Sequence, residues 1–241
     1  MAIYTSKTRI DLEDVGYSNK ITNKAILKIL ENAGARQSET IHFGLNDMEN
    51  VGFSWILLGW KVKILKRPIY NEELTINTWG RESNRIFTYR DYEIYDESGE
   101  LCTIATSKWA IVDINTGKLR ELTPEIIEKY QCETKKVFKE DYTLKLKEPT
   151  TIIRKQEYKA QRRDIDINKH IHNLYYLDYA YEVLPEEAYE APECNNIEIM
   201  YKKQIRLNDE FKCLYTKEKN QNIVTMKSED ENTLHAIIKL Y

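Results

Sequence analysis

The chain has 241 residues, 36 Lys plus Arg against 39 Asp plus Glu, and a formal net charge of −3. That length suits one large domain or two of about 100 residues or slightly more, and the charge balance excludes a nucleic-acid binder built on an overall basic surface. Hydrophobic residues make up 41% and aromatic residues 11%, enough for a packed core.

The first residues, Met1 to Lys7, lead directly into Asp11, Glu13 and Asp14. They hold no apolar signal core, and the acids argue against a transit peptide. No stretch reaches about 18 uncharged apolar residues, so no membrane span is expected. The expectation is a soluble, cytoplasmic protein. After Asn23, Ala25 to Ala35 reads as a helix, because Ile26, Leu27, Leu30, Ala33 and Gly34 recur at three- and four-residue spacing. Thr22 or Asn23 can cap its start, and small Ala33, Gly34 and Ala35 allow a sheet to approach closely. Strand-like segments follow at Phe53–Leu58, Trp60–Leu65, Leu74–Trp79, Arg85–Tyr95 and Leu101–Asp113. Turn signals at Arg67-Pro68, Glu97-Ser98-Gly99 and Asn115-Thr116-Gly117 separate several of them.

Leu119 to Thr150 is charged, carries Pro124 and Pro149, and offers a short helix from Pro124 to Tyr130. It is longer than an ordinary loop, so it is expected to pack along the surface. A second helix is expected from Asn173 to Leu184, ahead of Pro185, with strands at Ile197–Leu207, Glu210–Lys217, Ile223–Lys227 and Leu234–Tyr241. Each half is then one helix followed by about five strands. In such an α+β pattern the helix buries its apolar face against an antiparallel sheet.

The halves echo each other. Asp14 to Leu27 lies over Asp164 to Leu177 at an offset of 150 residues (164 less 14), matching Asp14 with Asp164, Ile21 with Ile171, Asn23 with Asn173 and Leu27 with Leu177. Downstream, Asn71-Glu72-Glu73-Leu74 resembles Asn208-Asp209-Glu210-Phe211 at an offset of 137 (208 less 71). Two echoes in the same order point to duplication. The differences carry the chemistry: Gly16, Ser18 and Lys20 stand where the second copy has Asp166, Asn168 and His170.

Those three residues occupy alternate positions just ahead of the second helix. In an extended segment their side chains point to one side, where a carboxylate, an amide and an imidazole can polarise a carbonyl and deliver water. The bland alternative is a turn or helix cap, which Asp and Asn both favour. His170 and His172 form a His-x-His pair, but no third ligand stands out, so no metal and no cofactor are expected. Cys102, Cys132, Cys194 and Cys213 form no CxxC pair and read as scattered reduced thiols.

The pattern Asp-x-Asn-x-His-x-x-Asn-x-x-Tyr at Asp166 to Tyr176, with Arg162-Arg163 upstream, resembles the active-site motif of the acyl-acyl carrier protein thioesterases. Trp55, Pro68 to Glu72, Thr78-Trp79 and Ser107 to Asp113 agree with that family, so the resemblance covers the chain from about Tyr17 onward. It implies a tandem (double) hotdog fold, with a first copy over 1–130, a connection over 131–155 and a second, catalytic copy over 156–241. It implies hydrolysis of a fatty acyl thioester on acyl carrier protein, in fatty acid biosynthesis. Two fused copies are compatible with a monomer or a homodimer.

Under that resemblance Asp166 is the base, nucleophile or orienter, Asn168 positions water or thioester, and His170 acts as acid or base. Backbone N–H groups at Ile171, His172 and Asn173 hold the carbonyl oxygen at the helix start. Trp55 and Trp60 line the acyl tunnel, and Arg162, Arg163, Lys202 and Lys203 meet the acidic carrier protein. The chain departs from the family at Gln204-Ile205, where a Glu, sometimes followed by Cys, is common. A glutamine can hydrogen-bond water but cannot be a base. Acting on acyl-CoA, or binding acyl groups without catalysis, are the alternative readings.

Overall fold

A computed structural model describes residues 3–81, 84–140, 145–189 and 194–241. The chain forms two compact units, Met1–Leu58 with Val62–Tyr142, and Thr143–Tyr241 with Gly59–Lys61.

The first unit contains β1 (Tyr4–Arg9), α1 (Asn23–Thr40), α2 (Met48–Val51), β2 (Phe53–Ile64, apart from its Gly59–Lys61), β3 (Glu73–Gly80), β4 (Thr88–Tyr95), β5 (Leu101–Asp113), β6 (Leu119–Arg120) and α3 (Pro124–Tyr130). Its sheet runs β1-β3-β4-β5-β2, with β6 on β5. The Thr22 side chain accepts the Ala25 N–H at 3.1 Å and starts α1. Ala25, Ile26, Leu27, Leu30 and Ala33 bury the apolar stripe, and α1 packs against β1 and β3. Close approach is needed at Gly34, where a Cβ would stand 3.0 Å from the Tyr92 hydroxyl. Ala35 is exposed and takes no part in that approach.

α1 outruns its expected end because its last buried residues are polar. The Ser38 hydroxyl lies 2.8 Å from that of Tyr130, and the Arg90 guanidinium donates to Gln37. Apolar periodicity is blind to such a stripe. The two strands expected either side of Gly59 are one strand, β2. β4 starts at Thr88, not at Arg85, because the Asn84 side chain accepts the Ile86 and Phe87 N–H groups and makes a turn. The α3 helix forms over Pro124–Tyr130. Beyond it the connecting segment lies along the first sheet: Glu133 N–H donates to Gly80 C=O, Trp79 Nε1–H to Lys135 C=O, and Val137 N–H to the Asp91 carboxylate.

The second unit contains β7 (Arg154–Lys159), α4 (Tyr175–Val183), α5 (Glu186–Tyr189), β8 (Asn196–Tyr201), β9 (Glu210–Glu218), β10 (Gln221–Ser228) and β11 (Leu234–Leu240). Its antiparallel sheet runs β8-β11-β10-β9-β7. Tyr176, Leu177, Ala180 and Val183 bury the inner face of α4. The helix ends where Leu184 turns extended before Pro185. β8 stops at Tyr201, short of the expected Leu207.

Strands β1 and β7 escape sequence pattern. Each is six largely polar residues, with burial alternating only between exposed and half-buried. Edge position, not an apolar face, defines them.

The duplication is written into the backbone hydrogen bonds. Ile10 N–H donates to Glu72 C=O and Ala160 N–H to Asp209 C=O, both at 3.0 Å. Asn71 N–H donates to Ile10 C=O and Asn208 N–H to Ala160 C=O. Asn71 and Asn208 both adopt left-handed backbone, at φ 72 and 69, a conformation asparagine tolerates. β1 pairs Arg9 with Glu73, and β7 pairs Lys159 with Glu210. Every one of these pairs obeys the offsets of 150 and 137.

Candidate active site

The motif segment begins with a 3-10 turn, Arg162–Asp164. Asp164 is buried, and its Oδ2 accepts the Gln161 N–H at 2.8 Å and the Tyr179 hydroxyl at 2.6 Å. Its carbonyl accepts the His172 N–H at 2.8 Å. Asp14 does the same for the first copy, accepting the Asp11 N–H at its carboxylate and the Thr22 N–H at its carbonyl. The shared aspartate is therefore a structural clamp on the loop before each helix.

Between Ile165 and Ile171, which bridge each other, the chain makes a tight turn. Asp166 N–H donates to His170 C=O at 2.9 Å, Lys169 N–H donates to Asp166 C=O at 3.0 Å, and Lys169 sits at φ 63. The extended segment expected for Asp166, Asn168 and His170 is thus replaced by a reversal. The Asp166 side chain closes it, its Oδ1 accepting the Asn168 N–H at 2.8 Å and the His170 N–H at 3.3 Å. The backbone turn itself replaces the strand, and the Asp166 side chain adds short-range hydrogen bonds to it. Asn168 lies exposed at the tip, while Asp166 and His170 are half-buried at the base.

His170 is held against the segment after β8. It forms a bridge with Arg206, and Ile171 N–H donates to Ile205 C=O at 2.8 Å. Burial lowers its imidazole pKa below the ordinary 6.5; Asp166 opposes that shift, Arg206 adds to it, and Asp209 opposes it. The ring is therefore neutral at physiological pH and able to accept a proton.

Two of the three expected oxyanion donors are already committed. Ile171 N–H serves Ile205 and His172 N–H serves Asp164. Among the described residues the Asn173 N–H donates no hydrogen bond. His172 accepts the Leu174 N–H on Nδ1 at 3.3 Å and packs its ring near Tyr175. It anchors the helix start. Among the described residues no group of three or more His, Cys, Asp or Glu is placed to hold a metal.

The first copy differs at the position matching Gln204. By the 137 offset Arg67 matches Gln204. Its guanidinium donates to Ile21 C=O at 2.8 Å and to the Asn23 side chain at 2.6 Å. Gln204 is exposed, and among the described residues neither its side chain nor that of Asn173 makes a hydrogen bond. An arginine ties the first-copy segment to the start of its helix; Gln204, at the matching position, makes no such bond among the described residues.

The remaining expected residues are scattered. Trp55 is half-buried, edge-on to Phe53 and Tyr130 with ring centres 6.1 and 5.6 Å away, and Trp60 is wholly buried. Arg162, Arg163, Lys202 and Lys203 are exposed. The nearby Lys155 and Lys159 of β7 pair with Glu231 and Glu210. Burial pushes the Cys213 thiol far up and that of Cys102 up to about 11, so neither is a thiolate nucleophile. Arg206 and Asp209, which act electrostatically on His170, were not among the expected site residues. Asp209 stood in the second echo, whose repetition was the available signal.

A model of the acyl-ACP thioesterase N-terminal domain matches residues 1–130, and one of the C-terminal domain matches residues 147–239. This chain belongs to the acyl-ACP thioesterase family. Among its relatives, the chloroplastic oleoyl-acyl carrier protein thioesterase 2 of Arabidopsis thaliana is 25% identical over 92% of this chain. A second, from Coriandrum sativum, is 24% identical over 93%. The chain spans 65% of the length of each. The fold of this family member matches the crystal structure of an acyl-ACP thioesterase from Bacteroides thetaiotaomicron (TM-score 0.87, 21% identity, 99% of this chain and 97% of that one). It also matches the 12:0-ACP thioesterase of Umbellularia californica (TM-score 0.87, 16% identity, 100% and 96%). The architecture is the tandem hotdog, its second helix only nine residues long. Among the described residues no helix is long and apolar enough to cross a membrane.

Proposed function

We propose that this chain hydrolyses the thioester between a fatty acyl group and acyl carrier protein, releasing free fatty acid. The observation that carries the reading is the half-buried pair Asp166 and His170, joined through one backbone turn at the place where the first copy has Gly16 and Lys20. His170 takes a proton from water as the water oxygen bonds to the thioester carbon. The backbone N–H of Asn173 donates to the developing oxyanion at the start of α4. The C–S bond then breaks, and the imidazolium returns its proton to the leaving thiolate. The Asp166 charge favours the imidazolium during this cycle, while Asn168 and Gln204 hold water or thioester.

In this reading the catalytic copy is 156–241, and 1–130 accommodates the acyl chain, with Trp55 and Trp60 lining it. The exposed Arg162, Arg163, Lys202 and Lys203 meet the acidic carrier protein, in the cytoplasm. Gln204, which cannot be a base, favours a second reading: an acyl-binding protein without turnover.

The test incubates purified protein with one acyl chain on acyl carrier protein and on CoA. Fatty acid release faster from the carrier protein, and abolished by His170→Ala, is expected. Binding without release supports the second reading, and a clear CoA preference overturns the carrier assignment.

A further inference from the structure

Ile205 is gripped from two sides. Its carbonyl accepts the Ile171 N–H at 2.8 Å, and its own N–H donates to the Tyr176 hydroxyl at 3.3 Å. Ile205 is fully buried and Tyr176 is 3% exposed, so neither group has water as a substitute partner. The first copy solves the same problem differently. There Ile21 N–H donates to Pro68 C=O at 2.9 Å, so the carbonyl half of the clamp is kept. But Pro68 has no N–H, and the residue matching Tyr176 is Ile26, which has no hydroxyl. Donor and acceptor are absent together in the copy that has lost Asp166, Asn168 and His170, and present together in the copy that has them.

We propose that the Tyr176 hydroxyl is a positioning group that holds Gln204-Ile205-Arg206 against His170 through the Ile205 N–H. If packing alone required this register, the Pro68 and Ile26 solution would serve in both copies. A proline also removes the donor at no cost in buried polarity. Retaining an N–H and a buried phenol to satisfy it has its effect on the neighbours of Ile205. Gln204 is exposed, and Arg206 forms the backbone bridge with His170. Tyr201 supports the tyrosine ring edge-on at 5.4 Å and donates its own hydroxyl to Asn173 C=O at 3.1 Å. Tyr176 and Tyr201 thus brace the two sides of the site from beneath.

The inference rests on the hydrolase reading, so its test carries one readout that needs no activity. Tyr176→Phe removes only the hydroxyl. Amide exchange at Ile205 should accelerate at least about tenfold, the scale of one lost buried hydrogen bond. In the acyl-carrier-protein assay kcat should fall about tenfold with KM within about twofold. Gln204→Ala should then add little in the Tyr176→Phe background, because the two act through one segment. Unchanged kcat in an active protein, or fully additive effects, overturns the proposal. An inactive wild type whose Ile205 amide still loses protection in Tyr176→Phe overturns the hydrolase reading and leaves the clamp standing.

Discussion

In the proposed hydrolysis Asp166 has two separable jobs, and one pair of substitutions divides them. Its Oδ1 accepts two backbone N–H groups, a good one at 2.8 Å and a longer one at 3.3 Å. Losing both costs about 1–2 kcal/mol, since a net hydrogen bond contributes about 0.5–1.5. The fold survives that loss, because Gly16 forms the same turn without a side chain. Gly16 N–H donates to Lys20 C=O at 3.0 Å, Asn19 N–H donates to Gly16 C=O at 2.9 Å, and Asn19 takes the left-handed φ of 61 that Lys169 takes in the second copy. Asp166→Asn keeps a turn-closing oxygen and removes only the charge. Its Tm should match wild type, and Asp166→Ala should melt lower by the 1–2 kcal/mol above. Both should lose turnover alike: kcat on acyl carrier protein substrate falls about 100-fold, roughly 2.7 kcal/mol of barrier. Thermal melts with single-turnover fatty acid release separate the effects. Asp166→Asn retaining activity within about threefold, while Asp166→Ala loses both, would mean the carboxylate serves the turn alone.

The His170 shift sets a pH dependence. In the proposed hydrolysis the neutral ring is the working form, so kcat/KM should rise with pH along a limb centred below the ordinary imidazole value of 6.5, because burial depresses this pKa. Asp166→Asn removes the carboxylate that opposes the depression, so the acid limb should move lower still. An acid limb centred above 7 would contradict the neutral-base role. Lys202→Glu combined with Lys203→Glu should raise KM for the carrier-bound substrate about tenfold at low salt, with the difference shrinking as salt rises. Turnover of the same acyl group on a small thiol should not change, and equal effects on both substrates would remove these lysines from the carrier contact.

Much of this was legible from residue order. The helix stripe of Ile26, Leu27, Leu30 and Ala33, the long strands and the two offsets are all local or periodic signals. They led to two copies of one helix-and-sheet unit, and to the second copy as the one with chemistry. Strands β1 and β7 were hidden because edge strands with polar faces have no apolar period. The last turn of α1 was hidden because its buried side chains are Gln37 and Ser38, whose partners Arg90 and Tyr130 lie far away in sequence.

The site followed the same division. Residue order was enough to name Asp166, Asn168, His170 and the inert triad of Gly16, Ser18 and Lys20, because composition at matched positions needs no geometry. Folding decided the shape: a reversal at Lys169 instead of a strand, the same backbone turn that Gly16 to Lys20 makes in the first copy, with the Asp166 carboxylate added to it. It also decided which groups are spent and which are open. The N–H groups of Ile171 and His172 serve partners 34 and 8 residues away. The imidazole of His170 is tuned by burial and by Arg206 and Asp209. Hydrogen-bond commitment and desolvation depend on neighbours in space, and only the tertiary structure supplies those.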